Sequence, residues 1–575
     1  MKKWVKGLLV SGLALSLIPA VNQTADSVGA QENTPASKNL IVLIGDGMGP
    51  AQVTAGRMYQ HYFHQKPYLA LDEIFVGNST TFADASESGG NTVSGLVTDS
   101  ASSGTAFATG NKTYNGAISV SNEEVAKPYA SIIEAAEEEG KATGIVSTAR
   151  ITHATPAVYA SHVRSRGNEN AIAAQYADSG VDVLFGGGER QFKTSEEGGK
   201  RSDKNLIPEF ESKGYEIVRG RSELMALEGS EEKVLGFFGH SHMDYTLDRD
   251  ADVPSLAELT DTAIDILSRD EDGFVMMIEA GRIDHAGHAN DFPGMVQEML
   301  DFDAAVKVAL DFAKEDGETS VVITADHETG GLSLSRDNIY ELNIAMWDDA
   351  RQSSEVVGKA LNGAETAADI RKIVADNMGI TDLSNVEVQF IMDGDGTSYG
   401  REGGYNAVIS KRLLVGWSGH GHSGVDVGVW AYGPIADLVR GQIDNTDIAK
   451  SGAEVLGLDL DAATRKLQQK YMYPKFKMNR TNEVLYPARA LAEALDIELG
   501  FDAEEKTVSL MKEDQMLRVE IETLQVGANE QREAWTAELD RGTLYLSIEA
   551  FNLLSGMEMK WDALSERLLI DAVGE

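Results

Sequence analysis

The apolar run LIVLIGDG (40–47) decides the fold class of this chain. Four further runs of the same kind follow it: GIVSTA (144–149), FVMMIEAG (274–281), VVITADH (321–327) and VGVWAYG (427–433). Between them lie amphipathic stretches such as SIIEAAEEEG (131–140) and SLAELTDTAIDILSRD (255–270). Strands that are apolar on both faces and alternate with helices predict an α/β fold, with a mainly parallel sheet sandwiched by helices.

This alternation predicts one large domain over residues 38–465. Residues from about 335 to 415 break the rhythm, and we expect them to form an insertion on the rim of the domain. Their Gly- and Asp-rich piece DGDGTSYGREGG (393–404) is typical of a loop.

The last hundred residues, 475–575, have a different pattern. NEVLYPARALAEALDIELGFDAEEKTVSL (482–510) is echoed by GTLYLSIEAFNLLSGMEMKWDALSERLLI (542–570). Tyr486 corresponds to Tyr545, and Phe501 to Trp561, with one residue inserted between helix and strand in the second copy. A turn-helix-strand unit that occurs twice predicts a compact α+β domain of two repeats.

The N-terminus, MKKWVKGLLVSGLALSLIPA, places three lysines before a mostly apolar run of signal-peptide length. We therefore predict a signal peptide over residues 1–30 and a secreted protein. Cleavage after Ala30 fits the small residues Val28-Gly29-Ala30, with Ala20 and Ala25 as alternatives. A retained membrane anchor is the competing interpretation.

Composition excludes several classes of protein. The chain has 575 residues and a formal net charge of −41, so a nucleic acid would be repelled rather than attracted. It has no cysteine, which excludes a disulfide scaffold, a thiolate metal site and a cysteine nucleophile. Any metal ion must be held by His, Asp, Glu or hydroxyl groups.

Polar residues cluster where the predicted strands end. Asp46 follows LIVLIG, Glu279 ends FVMMIE, and Asp326 and His327 end VVITADH. Asp284 and His288 have the i, i+4 spacing that places both on one face of a helix. Because parallel strands end at one edge of the sheet, we expect these groups to meet there. Oxygen and nitrogen ligands without sulfur suit Zn²⁺ or Mn²⁺, and an oxygen subset suits Mg²⁺. Taken singly, each residue could instead be a turn or cap residue.

Ser100, in LVTDSASSGTAFATG, is the candidate nucleophile. The Ala- and Ser-rich run that follows predicts a helix with Ser100 at its N-terminus, where the helix dipole favours an ionised hydroxyl. Thr98, Ser102 and Ser103 compete on composition. No GxSxG elbow surrounds Ser100, so we expect activation by a metal rather than by a histidine base.

Six motifs together resemble the alkaline phosphatase family: GDGMG, VTDSASSGTA, HATPAVYASHVRSR, EAGRIDHAGH, TADHETGG and HGHSG. The resemblance implies a phosphomonoesterase with two Zn²⁺, one Mg²⁺, a phosphoserine intermediate and broad specificity. It assigns the first zinc to Asp284, His288 and His422. It assigns the second zinc to Asp46, Asp326, His327 and Ser100, and the magnesium to Asp46, Thr155 and Glu279.

The resemblance also implies roles for residues that are not ligands. Arg166 would bind two phosphate oxygens, with Arg164 as its nearby rival. His153 and His285 would stand outside the ligand set and tune magnesium affinity and phosphate contacts. The substrates implied are small phosphate monoesters, and the resemblance is compatible with a homodimer. The tail resembles the copper amine oxidase N-terminal-like stalk domain. No histidine follows His422, so nothing supports copper binding, and we interpret the tail as a cell-envelope module.

Three alternatives remain at this point. A phosphodiesterase or sulfatase of the same superfamily would share the metal scaffold. A secreted envelope-binding protein could use an inactive phosphatase scaffold. A dual protein could combine catalysis in the main domain with attachment through the tail, so that deletion of residues 475–575 would leave turnover intact.

Overall fold

The computed structural model describes residues 36–571, except 89–90, 228–231, 529–530 and 534. The predicted signal peptide, residues 1–30, lies outside the described residues. Within them, no helix is both long and apolar enough to cross a membrane.

A ten-stranded sheet forms the centre of the protein. Its central strand, Asn39–Gly45, pairs in parallel with Phe274–Ala280 on one side and Thr319–Thr324 on the other. Val427–Tyr432 is antiparallel to both of its neighbours, and the other pairings in this sheet are parallel. The spatial order is Gly441–Ile443, Phe75–Ser79, Val427–Tyr432, Thr319–Thr324, Asn39–Gly45, Phe274–Ala280, Ala142–Arg150, Val183–Gly187, Val234–Phe237 and Glu216–Arg219.

Both faces of this sheet are buried. Alternate residues of the central strand point to opposite sides: Ile41 and Leu43 belong to one apolar core, and Leu40, Val42 and Ile44 to the other. This explains why the strand is a continuous apolar run rather than an alternating one. The predicted α/β sandwich is confirmed.

Helices cover the two faces of the sheet and extend beyond its rim. Their bounds in the main domain are Pro50–His64, Ser100–Thr109, Ile132–Glu138, Ala154–Ala157, Glu169–Tyr176, Ile207–Ser212, Gly220–Leu224, Leu256–Leu267, Arg282–Ala289, Phe292–Asp316, Ser354–Asn362, Ala367–Met378, Asn385–Asp393, Arg401–Leu413, Thr446–Leu456 and Leu460–Lys470. Short 3-10 helices lie at Ala70–Ile74, Glu189–Gln191, Ser195–Glu197, Ile344–Met346 and Pro434–Asp437.

The predicted rim segment, 335–415, is mainly helical. The interpretation of 393–404 as a loop is wrong at both ends: Asp393 ends the helix Asn385–Asp393, and residues 401–404 begin the helix Arg401–Leu413. Gly403 and Gly404 allow close packing of this helix against its neighbours and do not form a turn. A Cβ on Gly403 would lie 1.9 Å from an Asp395 carboxylate oxygen, and one on Gly404 would lie 3.0 Å from the Phe390 carbonyl oxygen.

The tail contains the repeat seen in the sequence. The first copy comprises Val484–Pro487, Ala488–Ala494, Glu498–Asp502 and Thr507–Lys512, and the second Thr543–Leu546, Ile548–Ser555, Glu558–Asp562 and Arg567–Asp571. The strands Gln515–Glu520, Gln525–Ala528, Gln531–Glu533 and Ala537–Asp540 lie between the copies. The extra residue of the second copy lies before the helix and not after it, because Ser547 occupies the N-cap position where the first copy has Pro487.

The tail is joined to the main domain by a continuous small sheet. The strand Tyr471–Pro474 pairs with Val125–Ala126 of the main domain and with Arg567–Asp571 of the tail. The described residues accordingly form one compact unit. The domain limits 38–465 and 475–575 therefore stay predictions.

The tail core supplies a stability prediction. Phe551 is fully buried on the helix Ile548–Ser555, whereas Leu553 on the same helix is 36% exposed. We expect Phe551→Ala to lower the free energy of unfolding of the tail by about 3–5 kcal/mol, because it leaves a cavity. Leu553→Ala should change it by less than about 1 kcal/mol. Calorimetric unfolding of both variants tests this; equal losses would contradict the assignment of the core.

Candidate metal centre

The carboxyl ends of three adjacent strands bring the first acidic groups together. Asp46 directly follows Asn39–Gly45, Glu279 lies near the end of Phe274–Ala280, and Asp326 follows Thr319–Thr324 by two residues. The parallel register aligns Ile44 with both Glu279 and Thr324. Asp46, Glu279 and Asp326 are fully buried. Sheet register is thus the reason that residues far apart in the chain share one pocket.

A helix and a short hairpin complete the pocket. Asp284 and His288 lie on the helix Arg282–Ala289, as their spacing predicts, with Asp284 Oδ1 3.2 Å from His288 Nε2. The two-residue strands Glu328–Thr329 and His422–Ser423 pair in antiparallel fashion and bring His422 to the same place. Its Nε2 atom lies 3.6 Å from Asp284 Oδ1 and 3.1 Å from His288 Nε2.

Three overlapping groups of side chains have ligand atoms within 4.8 Å of one another. The groups share members, so they form one continuous cluster rather than three separate sites. They are Asp284, His327 and His422; Asp46, Asp326 and His327; and Asp46, His153 and Glu279.

The hydrogen bonds of three histidines fit a metal site. Nδ1 of His288 faces the His420 carbonyl, and Nδ1 of His422 lies 2.9 Å from the Thr98 carbonyl. Nδ1 of His327 lies 3.2 Å from the Thr329 hydroxyl, which itself donates to Asp284. Each Nδ1 therefore acts as the donor, which leaves each Nε2 directed into the pocket as a possible metal ligand. The Nε2 atoms of His288 and His422, 3.1 Å apart, can share a cation, which is a proton on His288 when no metal ion is bound.

Several buried polar atoms of the cluster lack a hydrogen-bond partner. They are both carboxylate oxygens of Asp46, Glu279 Oε1, Asp326 Oδ2 and the Thr155 hydroxyl oxygen. A buried acceptor without a partner costs about 1–3 kcal/mol, and more when it is charged. The residues present therefore fit bound metal ions, which would supply the missing partners.

The pKa values of the pocket residues also favour bound cations. Burial, together with Asp326, Asp284 and Glu279, raises the pKa of Asp46 well above its usual value. Burial likewise raises the pKa of Glu279 to about 7. Without cations, Asp46 and Glu279 thus resist ionisation, whereas neighbouring histidines overcome the effect of burial and lower the pKa of Asp284 and Asp326. Bound cations would stabilise the ionised form of all four carboxylates.

Ser100 lies where the sequence predicts, at the start of the helix Ser100–Thr109. Its side chain is almost fully buried, and its Oγ lies 3.2 Å from His327 Nε2. Asp99 caps the helix by accepting a hydrogen bond from the Ser102 amide. Ser102 and Ser103 bond to Asp99 and to the Asp326 carbonyl, so neither replaces Ser100 as the group facing the histidine.

The structure distinguishes Arg166 from its rival Arg164. The Arg166 guanidinium donates to Asp99 Oδ2 at 2.9 Å and to His153 Nε2 at 3.1 Å, beside Ser100 and the metal cluster. Arg164 donates instead to the main-chain carbonyls of Glu123, Glu124 and Tyr473. Only Arg166 of the two adjoins the pocket.

His153 and His285 lie beside the cluster, together with His242, which the sequence analysis did not single out. Since the Arg166 guanidinium can only donate, His153 accepts at Nε2. The buried Nδ1 of His153 has no hydrogen-bond partner, and the ring belongs to the ligand group of Asp46 and Glu279, so its role outside the ligand set stays a prediction. The His285 ring lies 5.5 Å from that of His153 and 4.2 Å from that of His242. Burial lowers the pKa of His285 and keeps the ring neutral.

Four supporting residues escaped the sequence analysis: Asp99 holds Arg166, Ser147 donates to Glu279, Thr329 orients His327, and the His420 carbonyl orients His288. Asp99 lies in the motif VTDSASSGTA and Thr329 in TADHETGG, each close to a predicted site residue. This proximity was the one feature of the sequence that could have indicated their roles. Nothing in the sequence indicates that Ser147 would face Glu279, because that contact depends on the pairing of two strands.

Comparison with known proteins decides the family. The alkaline phosphatase family model matches residues 37–458. The chain belongs to the alkaline phosphatase family. It is 39% identical to alkaline phosphatase 3 of Bacillus subtilis over 471 residues, which cover 78% of this chain and 97% of that protein. The protein is therefore a metal-dependent phosphatase that acts on phosphate monoesters.

Solved alkaline phosphatases have the same fold. The cold-active enzyme of Shewanella sp. superposes with a TM-score of 0.64 at 35% identity, covering 73% of this chain and 99% of that one. A variant of the alkaline phosphatase of the Antarctic bacterium TAB5, with Mg²⁺ bound in its M3 site, gives a TM-score of 0.54 at 28% identity and covers 74% and 99%. Residues 468–570 match the copper amine oxidase N-terminal domain, which confirms the resemblance of the tail.

The metal centre of this alkaline phosphatase should load more tightly as the pH rises. Burial lowers the pKa of His288, but the Asp284 carboxylate more than offsets this and raises it to about 9 in the metal-free protein. Below pH 9, a metal ion must therefore displace a proton from His288.

We expect zinc affinity, measured by competition with a chelator, to rise about tenfold per pH unit from pH 7 to pH 9 and then to level off. In Asp284→Asn, where the neighbouring charge is absent, the plateau should begin at lower pH. An affinity that does not change between pH 7 and pH 9 would contradict this prediction.

Proposed function

We propose that the protein is exported and hydrolyses a broad range of phosphate monoesters through a phosphoserine formed on Ser100. The observation that carries this proposal is the position of the Ser100 hydroxyl, 3.2 Å from His327 Nε2 in the buried cluster and beside Arg166. Export is supported by the signal-peptide pattern of residues 1–30.

The assignment of metals follows the family resemblance, and the ligand groups of the structure support most of it. Asp284, His288 and His422 would hold one Zn²⁺; Asp284 and His422 belong to one ligand group, and His288 Nε2 lies 3.1 Å from His422 Nε2. Asp46, Asp326 and His327 form the group that would hold the second, together with Ser100, whose Oγ lies 3.2 Å from His327 Nε2. Asp46, Thr155 and Glu279 offer oxygen ligands only, which suit Mg²⁺. When bound, these ions would lower the pKa of the Ser100 hydroxyl and of water, and would offset the negative charge of the phosphoryl group.

The residues of the chain supply orientation. The planar Arg166 guanidinium, held by Asp99, would bind two oxygens of the phosphoryl group and direct phosphorus toward Ser100. Ser100 lies at a helix N-terminus, where the helix dipole stabilises negative charge on its oxygen. The Ser100 oxygen would attack phosphorus as the alcohol leaves, and water would then release phosphate from the serine. Because only the phosphoryl group is held, substrates with many different alcohol groups would be accepted.

Replacement of the nucleophile provides the main test. Ser100→Ala should lower kcat for p-nitrophenyl phosphate by more than about 10³-fold, because no oxygen remains to form the covalent intermediate. Metal content, measured by mass spectrometry, should stay near that of the unmodified protein. A variant with full metal content and unchanged kcat would remove Ser100 from this role.

Metal removal tests the cofactor assignment. A chelator should abolish activity, and zinc and magnesium together should restore it more fully than either alone. Substitution of Glu279 by Gln should weaken the effect of magnesium more than that of zinc, because Glu279 belongs only to the oxygen-ligand group. Recovery of full activity with zinc alone would contradict the three-metal assignment.

The alternative functions predict different substrate preferences. A phosphodiesterase or a sulfatase would turn over bis-p-nitrophenyl phosphate or p-nitrophenyl sulfate faster than the monoester. A monoester leaves three phosphoryl oxygens free, so that two can bind Arg166 while the third faces the metal cluster, whereas a diester leaves only two. An inactive envelope-binding scaffold would bind no zinc and hydrolyse none of the three compounds.

A further inference from the structure

The loop that carries Arg166 is held from outside by the C-terminal tail. Residues 162–168 have no regular secondary structure. Within the main domain, the Arg166 amide donates to the Gly116 carbonyl at 2.7 Å, and the Asn168 amide closes a turn onto Ser165. The main chain of Val163 pairs with that of Ile118, and Arg164 donates to the Glu123 and Glu124 carbonyls. Further supports come from the tail and from the strand Tyr471–Pro474, which joins the tail to the main domain.

Two of these contacts flank Arg166 in sequence. Two residues before it, the Arg164 guanidinium donates to the Tyr473 carbonyl at 3.1 Å. Two residues after it, the Asn168 side-chain amide donates to the Glu566 carboxylate. Glu566 lies in the turn between the last two strands of the second repeat. The loop is thus held after Arg166 by the tail, and before Arg166 by the joining strand Tyr471–Pro474, which pairs with the last strand of the tail.

A third contact acts through a neighbouring helix. The Gln175 side chain bonds to both main-chain groups of His162 at 2.8 Å and also donates to the Ser565 carbonyl at 3.0 Å. Gln175, Ser565 and Tyr473 are each less than 5% exposed. These hydrogen bonds are therefore shielded from water, and their geometry is more rigid than that of a surface contact.

We propose that the tail positions Arg166 for phosphate binding; this inference rests on the proposed function of Arg166. A bidentate arginine is effective only when its planar group is already oriented, and small displacements are costly. The tail follows the segment matched by the alkaline phosphatase family model, which ends at residue 458. The contact from the tail is thus an addition to the catalytic domain. Its positioning residues are Glu566 in the tail and Arg164 in the loop of Arg166.

The inference differs from the hypothesis that the tail is a separable attachment module. A separable module predicts that changes in the tail leave turnover and phosphate affinity intact. A positioning module predicts that loss of the Glu566 contact weakens binding of the phosphoryl group, and that this loss requires Arg166.

A double-mutant cycle in the full-length, metal-loaded enzyme tests the proposal. We expect Glu566→Ala to raise KM for p-nitrophenyl phosphate and the inhibition constant of inorganic phosphate about fivefold. Glu566→Gln keeps an acceptor oxygen and should restore both values to within about twofold. Adding Arg164→Ala to Glu566→Ala should increase the loss. Glu505→Ala, an exposed residue in the corresponding turn of the first repeat, is the matched control and should change neither value.

The decisive measurement is the same tail substitution in an Arg166→Ala background. There, Glu566→Ala should have no further effect on either constant, because the group that it positions is gone. Equal losses in both backgrounds would show that the tail acts elsewhere, and unchanged constants in the Arg164→Ala, Glu566→Ala double variant would also overturn the proposal. If Arg166→Ala itself binds phosphate normally, the proposed role of Arg166 fails first, and the positioning role fails with it.

Discussion

The crowding of four buried carboxylates is the main electrostatic cost in this structure. Asp46, Glu279, Asp284 and Asp326 lie in one buried pocket, and burial together with the charges of the other three raises the pKa of Asp46 well above its usual value. A group of buried carboxylates lowers the stability of the folded protein unless cations compensate for its charge. Folding of the main domain and assembly of the metal centre are therefore coupled, because the same strand ends provide the sheet and the ligands.

Hydrogen bonds around the pocket hold its side chains in fixed orientations. Main-chain carbonyls of His420 and Thr98, and the Thr329 hydroxyl, hold three histidine rings with Nε2 facing inward. Asp99 links the same pocket to the helix of Ser100, since it caps that helix and pairs with Arg166. One side chain thus connects the helix of Ser100 with Arg166, and both depend on Asp99 for their orientation.

The rim segment and the tail have different relations to the site. The helical rim segment, which lies within the range matched by the family model, approaches the site through Asp395 and Tyr399, which contact His420, the residue whose carbonyl orients His288. The tail, which follows that range, contacts the loop of Arg166 through the partly buried hydrogen bond from Asn168 to Glu566. Among the described residues, neither segment provides a member of the three ligand groups. Both contact residues that adjoin those members.

The sequence alone predicted the α/β fold and the repeat in the tail, and it indicated most of the residues that the structure brings together in the pocket. Its apolar runs are long enough to show burial on both faces, and acidic and histidine residues directly follow them. It left 401–404 as a loop, because the close packing that requires Gly403 and Gly404 involves residues not adjacent in sequence. Only the tertiary structure decided between Arg164 and Arg166, and only it revealed the contacts of Ser147, Thr329 and Glu566. These contacts depend on strand register and on the docking of the tail. Each is a single contact between distant segments, so none of them leaves a periodic pattern in the sequence.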